Sequence, residues 1–206
     1  MLQRILVWDA PTRMFHWLQV LSFAAAYWTA DSERLRNYHV ALGYILLGLL
    51  VFRLLWGFIG TRYARFGSFV FNPKQIITYL LALIKGKPQH YLGHNPAGSV
   101  SVWVLLGLGL FICVTGVMAL QDNASDVVGD LHGVATYIML GVIGLHLVGV
   151  LISSIMHREN LLRAMLTGFK AADPEQGIPR AYNWLGLMML VAVIIFWFAY
   201  VKKPLG

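Results

Sequence analysis

Four histidines carry the chemistry open to this sequence: His16, His39, His132 and His146, each in or beside a long apolar run. Imidazole binds metals, relays protons and changes charge near neutral pH, so inside apolar sequence it points to ligation or proton transfer. Fourteen residues separate His132 from His146. At ~100° per residue that is within about 40° of four full turns, so on a helix both rings leave one face, about 21 Å apart along the axis. The same interval separates His39 from Arg53. Gly43 follows His39 by one turn, where a missing side chain would let a flat ring approach the backbone; close helix packing is the other use of a small residue there. An ionisable group inside a membrane span is costly and marks a site facing the bundle interior, so each of these residues needs a partner on another helix. For Arg53 the partners open to it are the carboxylates of a cofactor or, by snorkelling, lipid headgroups.

Composition sets the solvent in which these residues must be held. The 206 residues are 58% apolar and 12% charged, with a mean hydropathy of +0.66, too oily for a soluble chain of this size. The expected fold is all-α, an integral membrane helical bundle. Five stretches approach bilayer length: about 14–29, 39–59, 97–120, 131–155 and 184–201. A cleaved leader is the other reading of the first, with Ala24, Ala25 and Ala26 as its cleavage region; Asp9, Pro11, His16 and Trp17 oppose it. The chain reads as one domain, a four-helix core plus a fifth C-terminal transmembrane helix.

Lysine and arginine distribution gives the orientation. Arg4 and Arg13, then Arg62, Arg65, Lys74, Lys85 and Lys87, then Arg158, Arg163, Lys170 and Arg180 share one side. The other has Arg34 and Arg36 beside Asp31 and Glu33, the acidic Asp122, Asp126 and Asp130, and the tail Lys202 and Lys203. This places the N-terminus in the cytoplasm and the acidic segment outside. The net charge of +7 is thus a topology signal, and nothing in the pattern supports nucleic-acid binding.

Between the second and third spans, an apolar piece at 76–84 flanked by Lys74, Lys85 and Lys87 reads as an interfacial helix. Asn95 and Pro96 should cap and open the third span, and Asp9 with Pro11 the first. His90 and His94 have metal-pair spacing, but Pro88 and Gly93 favour a loop. The third span, with Gly107, Gly109 and Gly116 but no histidine, reads as a packing wall. Cys113 stands alone, and no Cys-x-x-Cys-His motif or phosphate-binding loop occurs.

Depth sorts the four histidines into pairs. His39 and His132 both open helices that run inward from outside, leaving His16 to pair with His146 in the inner half. That second match needs tilt, or a fourth helix reaching into the cytoplasm, to close a depth difference. Histidines on opposed helices with a gap between are what axial ligation of haem iron requires, and a bundle core is a usual place for it. Satisfied core histidines and a proton relay are the other readings.

The runs Val7 to Trp17 (VWDAPTRMFHW), His39 to Tyr44 (HVALGY), Arg53 to Gly57 (RLLWG) and Gly93 to Gly98 (GHNPAG) resemble the bacterial di-haem cytochrome b family of the b-561 type and of nickel-iron hydrogenase cytochrome b subunits. The likeness covers roughly the first 170 residues. It implies two haem b groups, the inner held by His16 and His146 and the outer by His39 and His132, as depth suggests, with quinone as substrate. The simplest relatives have four spans, so the fifth is a departure.

An iron with a histidine on each face has no open position, so the expected activity is one-electron transfer between a membrane quinone and an outside redox partner. The partners expected are lipid and quinone, a periplasmic c-type cytochrome or hydrogenase-like redox subunit, and, as an option, a second copy of the chain. The expected location is the bacterial inner membrane. Two other classes stand beside this one: a superoxide oxidase that reduces quinone, and a transporter with proton-relay histidines. The acidic segment before His132 either reflects topology alone or steers a basic redox protein.

Overall fold

The computed structural model describes residues 2–121 and 125–202; Asp122 and Lys203 lie outside them. Seven helices dominate it, α1 (Ala10–Thr29), α2 (Arg36–Ile59), α3 (Pro73–Ile84), α4 (Pro96–Ala119), α5 (Asp126–Met156), α6 (Leu161–Thr167) and α7 (Asn183–Val201), with one antiparallel ribbon of β1 (Gln3–Leu6) and β2 (Phe169–Ala172). The architecture is the expected all-α membrane bundle. Four helices, led by the segment that contains α2 and followed by α4, α5 and α7, are long and apolar enough to cross a bilayer. Helix α1 has the length, 20 residues, but Arg13, His16 and Gln19 leave it less apolar than the others.

Helix α2 is the centre, packed against α1, α4 and α7. Leu42, Leu46 and Leu50 face Ala26 of α1 and Cys113 of α4, while Ile45 and Leu49 meet Leu18 of α1 and Met189 of α7. Buried residues on more than one stripe are what a helix enclosed by three neighbours requires. Helix α5 is the opposite case. It packs on α4 through Ala135 and Met139 against Ile112, and exposes Leu145, Leu147, Val148, Leu151 and Ile155. A long apolar helix so bare of partners is built to face lipid.

The loops at the end where α1 begins fold into a cap. Asp9 is the N-cap of α1, its Oδ1 accepting from the Thr12 amide at 2.7 Å. Its Oδ2 accepts from Trp56 Nε1 at 3.1 Å and Thr61 Oγ1 at 2.5 Å, so a helix cap also joins the start of α1 to the end of α2. The chain before α1 is β1, paired with β2 from Gln3 opposite Ala172 to Leu6 opposite Phe169. That pairing spans most of the sequence, which local pattern does not reveal. Gly168 turns α6 into β2 with a left-handed φ of +88°, and its carbonyl accepts from the Val7 and Trp8 amides at 2.8 and 3.0 Å. Arg13 Nη1 donates to Leu166 O at 2.6 Å and Trp17 Nε1 to Met165 O at 3.4 Å, using carbonyls that a helix C-terminus leaves free.

Asn95 caps α4 as expected, and Asn72 starts α3 with a reciprocal capping box to Gln75. One boundary moves: α5 begins at Asp126, not near 131, so Asp126 and Asp130 lie on its first turns, where carboxylates stabilise a helix start. Its 31 residues reach about 46 Å, well beyond the ~30 Å hydrocarbon core.

Asp9→Ala should lower stability by roughly 3 kcal/mol, from a lost cap and from the buried Trp56 and half-buried Thr61 donors left without their acceptor. Asp9→Asn, which keeps one acceptor oxygen, should lose less. Apparent melting temperatures in detergent check this; equal values for the parent and Asp9→Ala would remove the carboxylate from the framework.

Candidate functional site

The end of the bundle away from the ribbon holds a cavity of about 620 Å³ between α1, α2, α4 and α5, lined among others by His39, Gly43, Cys113, Gly116, His132 and Gly133. This lies within the usual range for a bound small molecule. His39 in the first turn of α2 and His132 in the second turn of α5 face each other with ring centroids 6.1 Å apart. Each ring is fixed through Nδ1, His39 donating to Ala26 O at 2.8 Å and His132 to Ile112 O at 2.9 Å. Carbonyls only accept, so both Nδ1 atoms carry the proton and both Nε2 lone pairs are free for a metal. A backbone carbonyl on the far nitrogen is the usual support of a metal-bound imidazole. With metal–nitrogen bonds of about 2 Å, as in zinc–histidine sites, 6.1 Å between ring centres leaves room for one ion.

The two glycines here differ. A Cβ on Gly116 would lie 3.0 Å from His132 Cε1, whereas one on Gly43 would meet nothing within 4 Å. Gly116 is therefore the notch that admits the His132 ring, and Gly43 borders open cavity rather than a close helix contact. The reading of the third span as a mere wall is corrected by this geometry: α4 contributes the Ile112 carbonyl, the Gly116 notch and Thr115, whose Oγ1 lies 3.4 Å from His132 Nδ1. A histidine scan of α4 finds none of these, because they act through backbone and an absent side chain.

The second constellation lies toward the capped end. His16 is within electrostatic reach of His146, and its Nδ1 is buried with no hydrogen-bond partner among the described residues. Arg53 does not snorkel out of the fold. It is 3% exposed, lies over the rings of Phe66 and Phe69 at 4.9 and 5.9 Å, and its Nη1 is buried without a hydrogen-bond partner among those residues.

His94, expected only as a loop residue outside the third span, belongs to this group. It is within electrostatic reach of Arg53, His146, Lys170 and His16. Burial, then the Arg53 charge, push its pKa down to about 3, so its ring is neutral at physiological pH. It forms no metal pair with His90, which instead meets Glu159 at 3.3 Å and the His157 ring at 5.1 Å between centroids. Glu159 also accepts from buried Lys170 at 3.0 Å. Desolvation lowers the Lys170 pKa, and Glu159 opposes that shift. No cluster of three or more His, Cys, Asp or Glu placed to hold a metal ion occurs among the described residues.

At the opposite end, Asp126 and Asp130 are exposed on α5 just ahead of His132, and Asp31, Glu33 and Arg36 line the mouth of the cavity.

Residues 7–168 match the model of the prokaryotic cytochrome b561 family. The chain is 22% identical to a probable Ni/Fe-hydrogenase B-type cytochrome subunit of Rhizobium leguminosarum bv. viciae, over 81% of this chain and 88% of that protein. It is 29% identical to the subunit so described in Azotobacter vinelandii, over 54% and 58%, and 25% identical to a probable Ni/Fe-hydrogenase 1 B-type cytochrome subunit of Escherichia coli K12, over 57% and 61%. No solved structure matches.

Gly116→Val should push the His132 ring out of its notch while leaving the capped end intact. Reduced-minus-oxidised absorbance should show loss or displacement of one spectral component and retention of the rest; an unaltered spectrum would show that the notch does not position His132.

Proposed function

Because the chain belongs to the prokaryotic cytochrome b561 family, and is thus a multi-pass membrane b-type cytochrome of electron transfer, we propose that it holds two haem b groups and passes electrons between membrane quinone and a redox protein on the outer face. The observation that carries this reading is the opposed pair His39 and His132, both protonated on Nδ1 by their hydrogen bonds and both facing one cavity. When bound, haem supplies reversible one-electron chemistry at an iron whose potential the protein sets.

His39 and His132 would be the axial ligands of the outer group. Their carbonyl partners fix the tautomer, keep each ring oriented and raise its basicity. With a histidine on either side, these residues leave no face for a small substrate. His16 and His146 would hold the inner group, with Arg53 beside it to offset carboxylate charge. The buried, unpaired Nη1 of Arg53 fits a bound anionic cofactor there, since buried polar atoms in a folded chain ordinarily have partners. Gly43 would let the outer ring system approach α2.

Helix α1 would cross the bilayer with the four more apolar helices, its His16 and Arg13 facing the bundle and the cap. The basic loops support an orientation in which the N-terminus and the capped end would lie on the cytoplasmic side of a bacterial inner membrane. The outside partner would be a hydrogenase-like subunit, as the relatives' names indicate for those proteins, or a c-type cytochrome. Asp126 and Asp130 form an exposed anionic rim that would steer a basic partner, raising association rate more than affinity.

Haem quantification on single variants tests the assignment. His39→Ala and His132→Ala should lose the same haem, and His16→Ala and His146→Ala the other. A spectrum in which His39→Ala empties the site lost in His146→Ala would break the pairing, and a folded parent without haem would end the reading.

The rim has its own test. Asp126→Asn with Asp130→Asn should slow electron exchange with a basic cytochrome at low salt and remove most of its salt dependence, because exposed charges are screened over ~8 Å at physiological ionic strength. Stopped-flow rates unchanged by the double substitution would take the rim out of partner recognition.

A further inference from the structure

We propose that His94 is a second polar anchor, beside Arg53, for a carboxylate of the haem held between His16 and His146. The inference rests on the haem assignment above and adds to it a residue outside the membrane spans.

Arg53 raises the need. A guanidinium that is 3% exposed has lost most of its hydration, which is costly unless an anion or a set of acceptors replaces it. Asp9 is near enough to act on it electrostatically, but the Asp9 oxygens already accept from Thr12, Trp56 and Thr61. The ring faces of Phe66 and Phe69 satisfy part of the cation. They offer no acceptor to Nη1, which stays unpaired among the described residues.

His94 packs on the same ring. Its centroid lies 4.4 Å from that of Phe69 and 4.9 Å from that of Trp8, and Phe69 is wholly buried. One aromatic side chain thus carries the guanidinium and the imidazole together. The Nδ1 of His94 is likewise buried and unpaired among the described residues. Two polar atoms without partners, on two groups sharing one aromatic support and within electrostatic reach of each other and of the His16 and His146 pair, call for one acceptor lying between them.

The loop is built to hold His94 there. On one side, a Cβ at Gly93 would come within 2.9 Å of Tyr63 Cδ1, so only glycine lets the backbone lie against that ring. On the other, Asn95 is locked as the cap of α4, its Oδ1 accepting from the Gly98 amide at 2.7 Å. The GHNPAG run therefore reads as glycine for close approach, histidine for the site, and asparagine with proline to start the helix.

Haem b carries two carboxylates along one edge. A carboxylate takes charge-assisted hydrogen bonds most strongly from a guanidinium, and it accepts an N–H from a neutral imidazole at another lone pair. Arg53 and His94 would then give the inner haem one defined orientation, with its carboxylate edge toward the capped end.

The test is a redox titration of the purified full chain, followed by absorbance, with resonance Raman of the haem carboxylate bending band. His94→Phe keeps an aromatic ring against Phe69 and Trp8 and removes the donor; His94→Gln keeps a donor without the ring. His94→Phe should leave both haems bound, lower the midpoint of one haem in the same sense as Arg53→Leu, and shift its carboxylate band, because the carboxylate charge near that iron is less offset. The other haem should be unchanged, and His94→Gln should restore most of the difference. Unchanged midpoints and an unchanged band in His94→Phe would overturn the proposal. If quinone-linked reoxidation were slowed in that variant with potentials intact, the donor would be assigned to a quinone oxygen instead. A parent protein lacking the inner haem would fail the underlying reading before His94 is tested, so the two failures are distinct.

Discussion

One buried carboxylate sets the geometry on which the rest of the structure depends. Asp9 is wholly buried and spends its oxygens on three donors from two helices. A carboxylate this deep persists only if its oxygens are hydrogen-bonded. Its bonds therefore fix the start of α1 against the end of α2. His16 follows two turns along α1 and Arg53 precedes Trp56 by one turn on α2, so the relative placement of these two residues is inherited from the Asp9 junction. The ribbon of β1 and β2 and the contacts of Arg13 and Trp17 with α6 brace the same corner from outside.

The two histidine constellations are built by different means. Toward the open end, backbone carbonyls and glycine do the work: Ala26 and Ile112 orient the rings, and Gly116 makes space for one of them. Toward the capped end, side chains from loops close over a buried cation, with Phe66, Phe69, Trp8 and His94 forming its walls. The contrast follows from the surroundings. Near the open end the Ala26 carbonyl lies in the last turn of α1, where carbonyls lack an intrahelical partner, and Ile112 accepts from within α4, whereas at the capped end folded loops bring polar groups over the bundle and exclude water around them. Helices α5 and α7 turn most of their apolar surface outward, as helices facing lipid do.

Much of this was legible in the sequence because the bilayer imposes a simple rule. Backbone polar groups in hydrocarbon must pair within a helix, so apolar runs of sufficient length declare α2, α4, α5 and α7 without tertiary information. Caps declared themselves too, at Asp9 and Asn95, because their side chains bond to amides three residues on. The matched depth of His39 and His132 followed from helix direction, whereas the facing of their rings is a property of the packed bundle. The ribbon was hidden, since Leu6 and Phe169 meet only after six helices have come between them in sequence. The full extent of α5 was hidden as well, because polar first turns look like loop.

The sequence by itself determined a membrane bundle, the residue types available for ligation and the helices bearing them; periodicity and hydropathy are local properties, and local properties can be read along a chain. Only the tertiary structure decided which groups surround the candidate ligands. Ile112 acts through a carbonyl, Gly116 through a missing side chain, Asp9 through donors about fifty residues away, and His94 through a ring it shares with Arg53. None of these has a spacing signature, because each depends on which surfaces meet once the helices pack, and that is set by the whole fold at once.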